Sequence, residues 1–190
     1  MPLFPRLSAL RMVPKAASFP PQSGGLWRDT HHIVSMDLRE TGMTISVGET
    51  FPNVTVKTWD DAPVDLSVGD LIAGKTVVIF GVPGAFTPTC SMRHLPGFVD
   101  HYEAIRAKGV DIIAVHSVND PYVLNTWNKD QGHEGIETLA DWDATLAKAL
   151  GVDADMSKTG LGTRAVRYAA IVRDGEVTYF ETGGLEVSGA

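Results

Sequence analysis

The sequence predicts an α/β fold with a central mixed sheet flanked by helices, and three observations carry that reading. Thr76 to Val82 is β-branched and continuously apolar, as a strand buried on both faces is, and Val110 to Val118 reads as the next buried strand. Segments with helical spacing separate these strands from each other and from later ones. Near the C-terminus, Arg173-Asp174-Gly175-Glu176 lies between two strand-like stretches, and Asp-Gly is a strong hairpin signal. The sheet is therefore expected to be buried and to end in an antiparallel hairpin rather than to be all parallel.

Taken in order, Val54 to Trp59 alternates apolar and polar residues and reads as a strand, and Thr76 to Val82 as the central one. Thr89 to Lys108 has helical spacing, with Phe98, Tyr102 and Ile105 on one stripe and Gly109 as a stop. Pro96 should kink or shorten its first half, because it lacks the N–H a helix interior needs. After the strand Val110 to Val118, Asn119-Asp120-Pro121 is a helix start, with an amide or acid as cap and proline in the first turn; Tyr122 to Lys129 follows as helix. Thr138 to Ala140 is strand-like, and Asp143 to Leu150 is a short helix closed by Gly151. Tyr168 to Val172 and Val177 to Phe180 form the hairpin, so the order is βαβαβαββ-like.

Composition narrows the function. The 190 residues, 44% of them hydrophobic, suffice for one ordinary core, and the formal charge of −7 argues against general binding of nucleic acid or anionic membrane. A local basic site stays open. There is no run of 18 apolar residues, so no membrane-spanning helix is expected. Residues 1–42 read as an N-terminal extension and residues 43–190 as the domain. In the extension Arg6, Arg11, Lys15 and Arg28 precede any acid and prolines stand at 2, 5, 14, 20 and 21. An organellar transit peptide and an internal start at Met36 or Met43 both account for it. The cytoplasm is the expected location, with a mitochondrion or other organelle as the alternative.

Cys90 is the only cysteine, so an internal disulfide is excluded and a reducing compartment is the default. It falls at the start of the helix after the central strand, where unpaired backbone N–H groups and the helix dipole favour an anion. The thiolate is the nucleophilic form of cysteine. A lone cysteine is more often a small buried hydrophobe, but its neighbours argue for chemistry. Thr87 occupies the position of the first cysteine in a C-x-x-C motif, which excludes dithiol exchange and places a hydroxyl three residues before the sulfur. Pro83 and Pro88 stiffen the loop.

Other chemistry finds little support. His94, His101, His116 and His133 show no metal-ligand spacing, and His31-His32 lies in the extension. His94 could face Cys90 one turn on, although a hydrogen-bonded structural histidine is the simpler reading. Asp141 and Asp143 beside Trp142 read as turn and helix-cap residues. No P-loop and no G-x-G-x-x-G follows a strand. Trp127, Phe86 and Phe98 read as core or subunit-contact residues, and Val82, Phe86 and Leu95 as contributors to a dimer surface.

Pro83-x-x-x-Thr87-x-x-Cys90 resembles the peroxiredoxin signature. The longer GVPGAFTPTCSMRHLPGF, followed by GVDIIAVHSVNDPYVLNTW, is similar to the peroxiredoxin 5 subfamily, and the resemblance runs from about Thr44 to Phe180, including RAVRYAAIVRDG. It implies a thioredoxin-like fold and a peroxidase of hydrogen peroxide and alkyl hydroperoxides, with no metal or organic cofactor. By the same resemblance Cys90 is the peroxidatic nucleophile, Thr87 the hydroxyl contacting thiolate and peroxide, Pro83 the ring shielding the pocket, and Arg167 the catalytic arginine. The N–H groups of Thr89 and Cys90 would help bind peroxide oxygens. Arg164 reads instead as a surface ion pair at a loop. Some relatives carry a resolving cysteine after the last strand, but the tail GGLEVSGA has none, so an external thiol must complete the cycle. The resemblance implies glutathione, with or without glutaredoxin, with thioredoxin as the competing reductant, and a homodimer. A noncatalytic redox sensor or holdase using Cys90 is the alternative; a glutaredoxin-like oxidoreductase is disfavoured by Thr87.

Overall fold

A computed structural model describes residues 44–132 and 135–183. The extension 1–42, its boundary, His133 and the tail 184–190 lie outside the described residues. The elements are β1 (Thr55–Asp60), β2 (Ala62–Ser67), α1 (Val68–Ile72), β3 (Thr76–Gly81), a π turn (Cys90–His94), α2 (Leu95–Asp100), α3 (Tyr102–Ala107), β4 (Ile112–Ser117), α4 (Pro121–Asp130), β5 (Glu137–Ala140), α5 (Thr145–Ala149), β6 (Asp153–Asp155), β7 (Thr163–Ala165), β8 (Tyr168–Arg173) and β9 (Glu176–Thr182).

Seven strands form the main sheet in the order β2-β1-β5-β4-β3-β8-β9, while β6 and β7 pair separately. Strands β3, β4 and β5 run parallel, and β1, β2, β8 and β9 add antiparallel pairs at the two sides. This is the mixed, helix-flanked sheet the sequence predicts, and it is thioredoxin-like. Strand alternation splits the core in two. On one face Val77, Ile79 and Ala114 pack with α1 and α5 through Leu71, Ile72, Leu146 and Ala147. On the other, Val78, Phe80, Ile113 and Val115 pack with α2 and α4 through Leu95, Phe98, Leu124 and Trp127, and Cys90 belongs to this second cluster.

The turn chemistry explains the joints. Asp174 and Gly175 both have positive φ, 45° and 84°, the two-residue hairpin geometry that Asp-Gly favours. Asp120 rather than Asn119 caps α4: its Oδ1 accepts from the N–H groups of Tyr122 and Val123 at 2.9 and 3.0 Å, and Pro121 takes the first turn. The expected single helix from Thr89 to Lys108 is instead interrupted twice. A π turn opens it, with the Leu95 N–H bonded to the Cys90 carbonyl, and a break at His101 separates α2 from α3. Pro96 lies directly after the π turn and offers no N–H to the carbonyl one turn earlier, so tighter winding would gain no bond there.

Candidate active site

The loop after β3 brings the site together. The Thr87 carbonyl accepts the Ser91 N–H at 3.0 Å, so the chain turns helical at Pro88 and Thr89 and presents Cys90 within the first turn. Cys90 is 1% exposed. Across the sheet edge, Arg167 immediately precedes β8, and its Nη2 donates to Cys90 Sγ at 3.7 Å. Its Nε donates to His94 Nδ1 at 2.5 Å. Because that nitrogen accepts, the neutral His94 ring carries its proton on Nε2. Arg167 and His94 are both buried, and the π turn brings His94 and Cys90 to the same buried side.

A buried guanidinium is costly unless an anion accompanies it. Among the described residues no carboxylate pairs with Arg167, and the nearest group able to carry negative charge along its N–H directions is the Cys90 sulfur. The arrangement fixes a charged donor beside the sulfur and beside any oxygen that the sulfur attacks.

The remaining predicted residues fall differently. Thr87 donates its hydroxyl to the Gly84 carbonyl at 2.8 Å, and among the described residues no hydrogen bond joins it to Cys90; toward the sulfur it offers only lone pairs. Pro83 is half-buried at the loop entry. Thr89 is exposed. Ser91, next to Cys90, accepts the Trp127 indole N–H at 2.9 Å, which ties the π turn to α4. One expectation about the apolar residues is corrected. Val82 and Leu95 have no exposure at all and cannot form a dimer surface, because both are consumed by the core around Cys90. Phe86, by contrast, is 54% exposed and so is not core; it takes a positive φ of 59°, an uncommon conformation for a bulky residue.

Arg164 is not a surface ion pair. Its Nε donates to the Leu161 carbonyl at 2.8 Å, and its Nη1 to the carbonyls of Val118 at 2.8 Å and Pro83 at 3.5 Å. Burial with no offsetting carboxylate pulls its pKa below the ordinary arginine value.

Behind the site lies a buried polar chain that sequence reasoning missed. Asp141 Oδ2 lies 3.1 Å from His116 Nε2, and His116 Nδ1 lies 2.9 Å from the Tyr168 hydroxyl. Burial pushes the Asp141 carboxyl upward, but the His116 hydrogen bond and charge and the N–H groups of Leu146 and Ala147 outweigh it and hold the pKa below the usual carboxylate value. An ionised Asp141 can only accept, so His116 Nε2 donates to it, and the other ring nitrogen, Nδ1, shares a hydrogen bond with the Tyr168 hydroxyl. Burial, reinforced by Asp141, raises the Tyr168 pKa well above that of an ordinary phenol, so the hydroxyl keeps its proton. The only legible signal was Asp141 before a short helix.

Comparison with known proteins gives the family. The Redoxin family profile matches residues 46–190, and the chain belongs to that family. Within it the chain is a peroxiredoxin: it is 45% identical over 152 residues to Peroxiredoxin-2C of Oryza sativa subsp. japonica, covering 77% of this chain and 94% of that protein. The crystal structure of reduced Prx3 in complex with H2O2 from Vibrio vulnificus superposes with a TM-score of 0.73 at 45% identity, over 77% of this chain and 92% of that one. Peroxiredoxin 5 from Alvinella pompejana gives a TM-score of 0.67 at 31% identity, over 73% and 89%.

Proposed function

We propose that this peroxiredoxin is a thiol-dependent peroxidase of the peroxiredoxin 5 type that works with Cys90 alone and takes its reducing equivalents from an external thiol, glutathione with or without glutaredoxin. The observation that supports it most is the buried Arg167 guanidinium, partnered by His94 and by the Cys90 sulfur and by no carboxylate among the described residues. The Cys90 thiolate attacks one peroxide oxygen; the S–O bond forms as the O–O bond breaks, and the leaving oxygen takes up a proton to depart as water or an alcohol. Arg167 stabilises the charge spreading along the S–O–O line, while Thr87, Pro83 and the N–H groups of the helix start order the oxygens. A first thiol converts the resulting sulfenic acid to a mixed disulfide and releases water, and a second thiol releases the disulfide and restores Cys90. The sequence offers no second cysteine beside Cys90 to serve as a resolving thiol, in this chain or in an identical partner. No resident cofactor enters the cycle.

Phe86 and Met92, 54% and 70% exposed on either side of Cys90 in sequence, are the apolar groups we assign to a homodimer contact. A thiol-fed cycle calls for a reducing compartment; we place it in the cytoplasm, and a shortened N-terminus on the mature chain would indicate an organelle instead. The test uses the purified full chain. Stoichiometric oxidation by hydrogen peroxide should vanish in Cys90→Ser and slow greatly in Arg167→Ala, with both variants folded. Turnover with glutathione, glutathione plus glutaredoxin, and thioredoxin as separate donors should be fastest with a glutathione system. Peroxidase activity retained in Cys90→Ser would overturn the mechanism.

A further inference from the structure

Arg164 occupies a place the peroxidase mechanism does not use. Its guanidinium joins three separate segments: the turn before β7 through Leu161, the β4–α4 connection through Val118, and the loop that carries the site through Pro83. Beside it, Asn119 Oδ1 accepts the Ala85 N–H at 2.9 Å and the Ser117 hydroxyl at 2.8 Å. Gly84 lies between the two. A Cβ at that position would stand 3.3 Å from Arg164 Nη1, 3.2 Å from Thr87 Cγ2 and 3.8 Å from Asn119 Oδ1. The carbonyl of this Gly84 in turn accepts the Thr87 hydroxyl. Pro83, Gly84 and Ala85 are thus held in succession by Arg164, by close packing and by Asn119, and the Gly84 carbonyl sets the Thr87 side chain.

We propose that Arg164 is a positioning residue of the peroxidatic loop, fixing through Pro83 and Gly84 where Thr87 and the helix start meet a peroxide bound at Cys90. The inference rests on the peroxidase reading of that cysteine. A planar guanidinium with donors in a fixed fork can serve three carbonyls on three segments; an ammonium on a flexible stem cannot hold the same span. An in-line displacement tolerates little misplacement, since a shift of about 1 Å costs on the order of 100-fold in rate. Reaction of the thiolate with a soluble alkylating agent needs access to the buried sulfur but not the ordering of an O–O bond by Thr87 and the helix start, so it reports access to Cys90 rather than alignment.

The experiment compares the wild-type chain with Arg164→Met and Arg164→Lys. For each, the second-order rate of Cys90 oxidation by hydrogen peroxide is measured in single turnover, beside the rate of Cys90 alkylation by iodoacetamide. Arg164→Met should slow the peroxide reaction by about 10- to 100-fold while alkylation stays near wild type, and Arg164→Lys should recover only part of the loss. Equal peroxide rates in wild type and Arg164→Met, or peroxide and alkylation rates that change together, would overturn the proposal. If Arg164→Met does not fold, the same ratio in Arg164→Lys decides: a selective loss supports positioning and an unchanged ratio refutes it. A wild-type Cys90 that alkylates but does not react with peroxide would instead sink the peroxidase reading, and this inference with it.

Discussion

Replacing Asp141 by alanine removes an acceptor on which three donors converge: His116 Nε2 at 3.1 Å, the Leu146 N–H at 3.0 Å and the Ala147 N–H at 2.8 Å. Asp141 is 1% exposed and His116 fully buried, so water cannot replace the lost partner without entering the core. A hydrogen bond to a charged group contributes about 1.5–3 kcal/mol, and a buried donor left unpaired costs a similar amount. The three overlap, so the expected loss for Asp141→Ala is about 3–5 kcal/mol, in line with breaking a buried charged pair. That is a large share of a typical total of about 5–15 kcal/mol, and it should lower the melting temperature on the order of 10 °C.

The pH dependence follows from the same carboxylate. Its pKa is depressed in the folded state, so its contribution is complete above the unfolded value, near about 3.9, and fades as pH falls through the lower folded value. Urea denaturation followed by tryptophan fluorescence should show a constant gap between wild type and Asp141→Ala from neutrality down to about pH 5, closing only in stronger acid. Tyr168→Phe, which strips the hydroxyl from His116 Nδ1, should cost about 1–3 kcal/mol and should couple to Asp141→Ala in a double-mutant cycle. A loss below about 1 kcal/mol in Asp141→Ala at neutral pH, or a gap unchanged into acid, would refute the assignment of Asp141 as an ionised hub.

Three further outcomes are expected. Gly81→Ala should cost about 3 kcal/mol or more, because its Cβ would fall 2.1 Å from Cε1 of the fully buried Tyr168; denaturation should show that cost shrinking in a Tyr168→Leu background. His94→Ala removes the acceptor that orients Arg167 Nε and should slow peroxide oxidation of Cys90 about tenfold, read by stopped-flow fluorescence, with far-UV circular dichroism unchanged. Asp120→Ala uncaps α4 and should cost about 1 kcal/mol in thermal denaturation while leaving the peroxide rate alone.

What was legible in the sequence had a local physical cause. The run from Thr76 and the Ile112–Val115 stretch are apolar because both faces of β3 and β4 are covered, and Asp174-Gly175 announced its turn because two consecutive positive φ values are costly for most other residues. Strand β2 was not legible. Its Pro63 reads against a strand, yet Pro63 pairs opposite Trp59 on the sheet's edge, where a missing N–H is tolerated. Helix α1 is five residues long, too short for a period to show, and β6 and β7 are three each. In the site, Cys90 and Thr87 were marked by their spacing, whereas the roles of Arg164, Asn119 and His116 depend on partners dozens of residues away, which no local pattern encodes.

The placement of Arg167 beside Cys90 can be traced to strand register. Gly81, the last residue of β3, pairs with Tyr168 on one side and His116 on the other. With no side chain at Gly81, the Tyr168 ring crosses it and its hydroxyl reaches His116 Nδ1, and the ring also stacks on Phe180. That fit seats Tyr168 on the α1–α5 face, with Val77, Ile79 and Ala170. Alternation then sends its predecessor, Arg167, to the opposite face, where Val82 and Cys90 pack. A slip of one residue would exchange the two faces, driving a guanidinium into the apolar cluster and leaving the thiol without its donor. The Asp141–His116–Tyr168 chain, though it touches neither Cys90 nor Arg167, thereby holds the register on which the approach of guanidinium to sulfur depends.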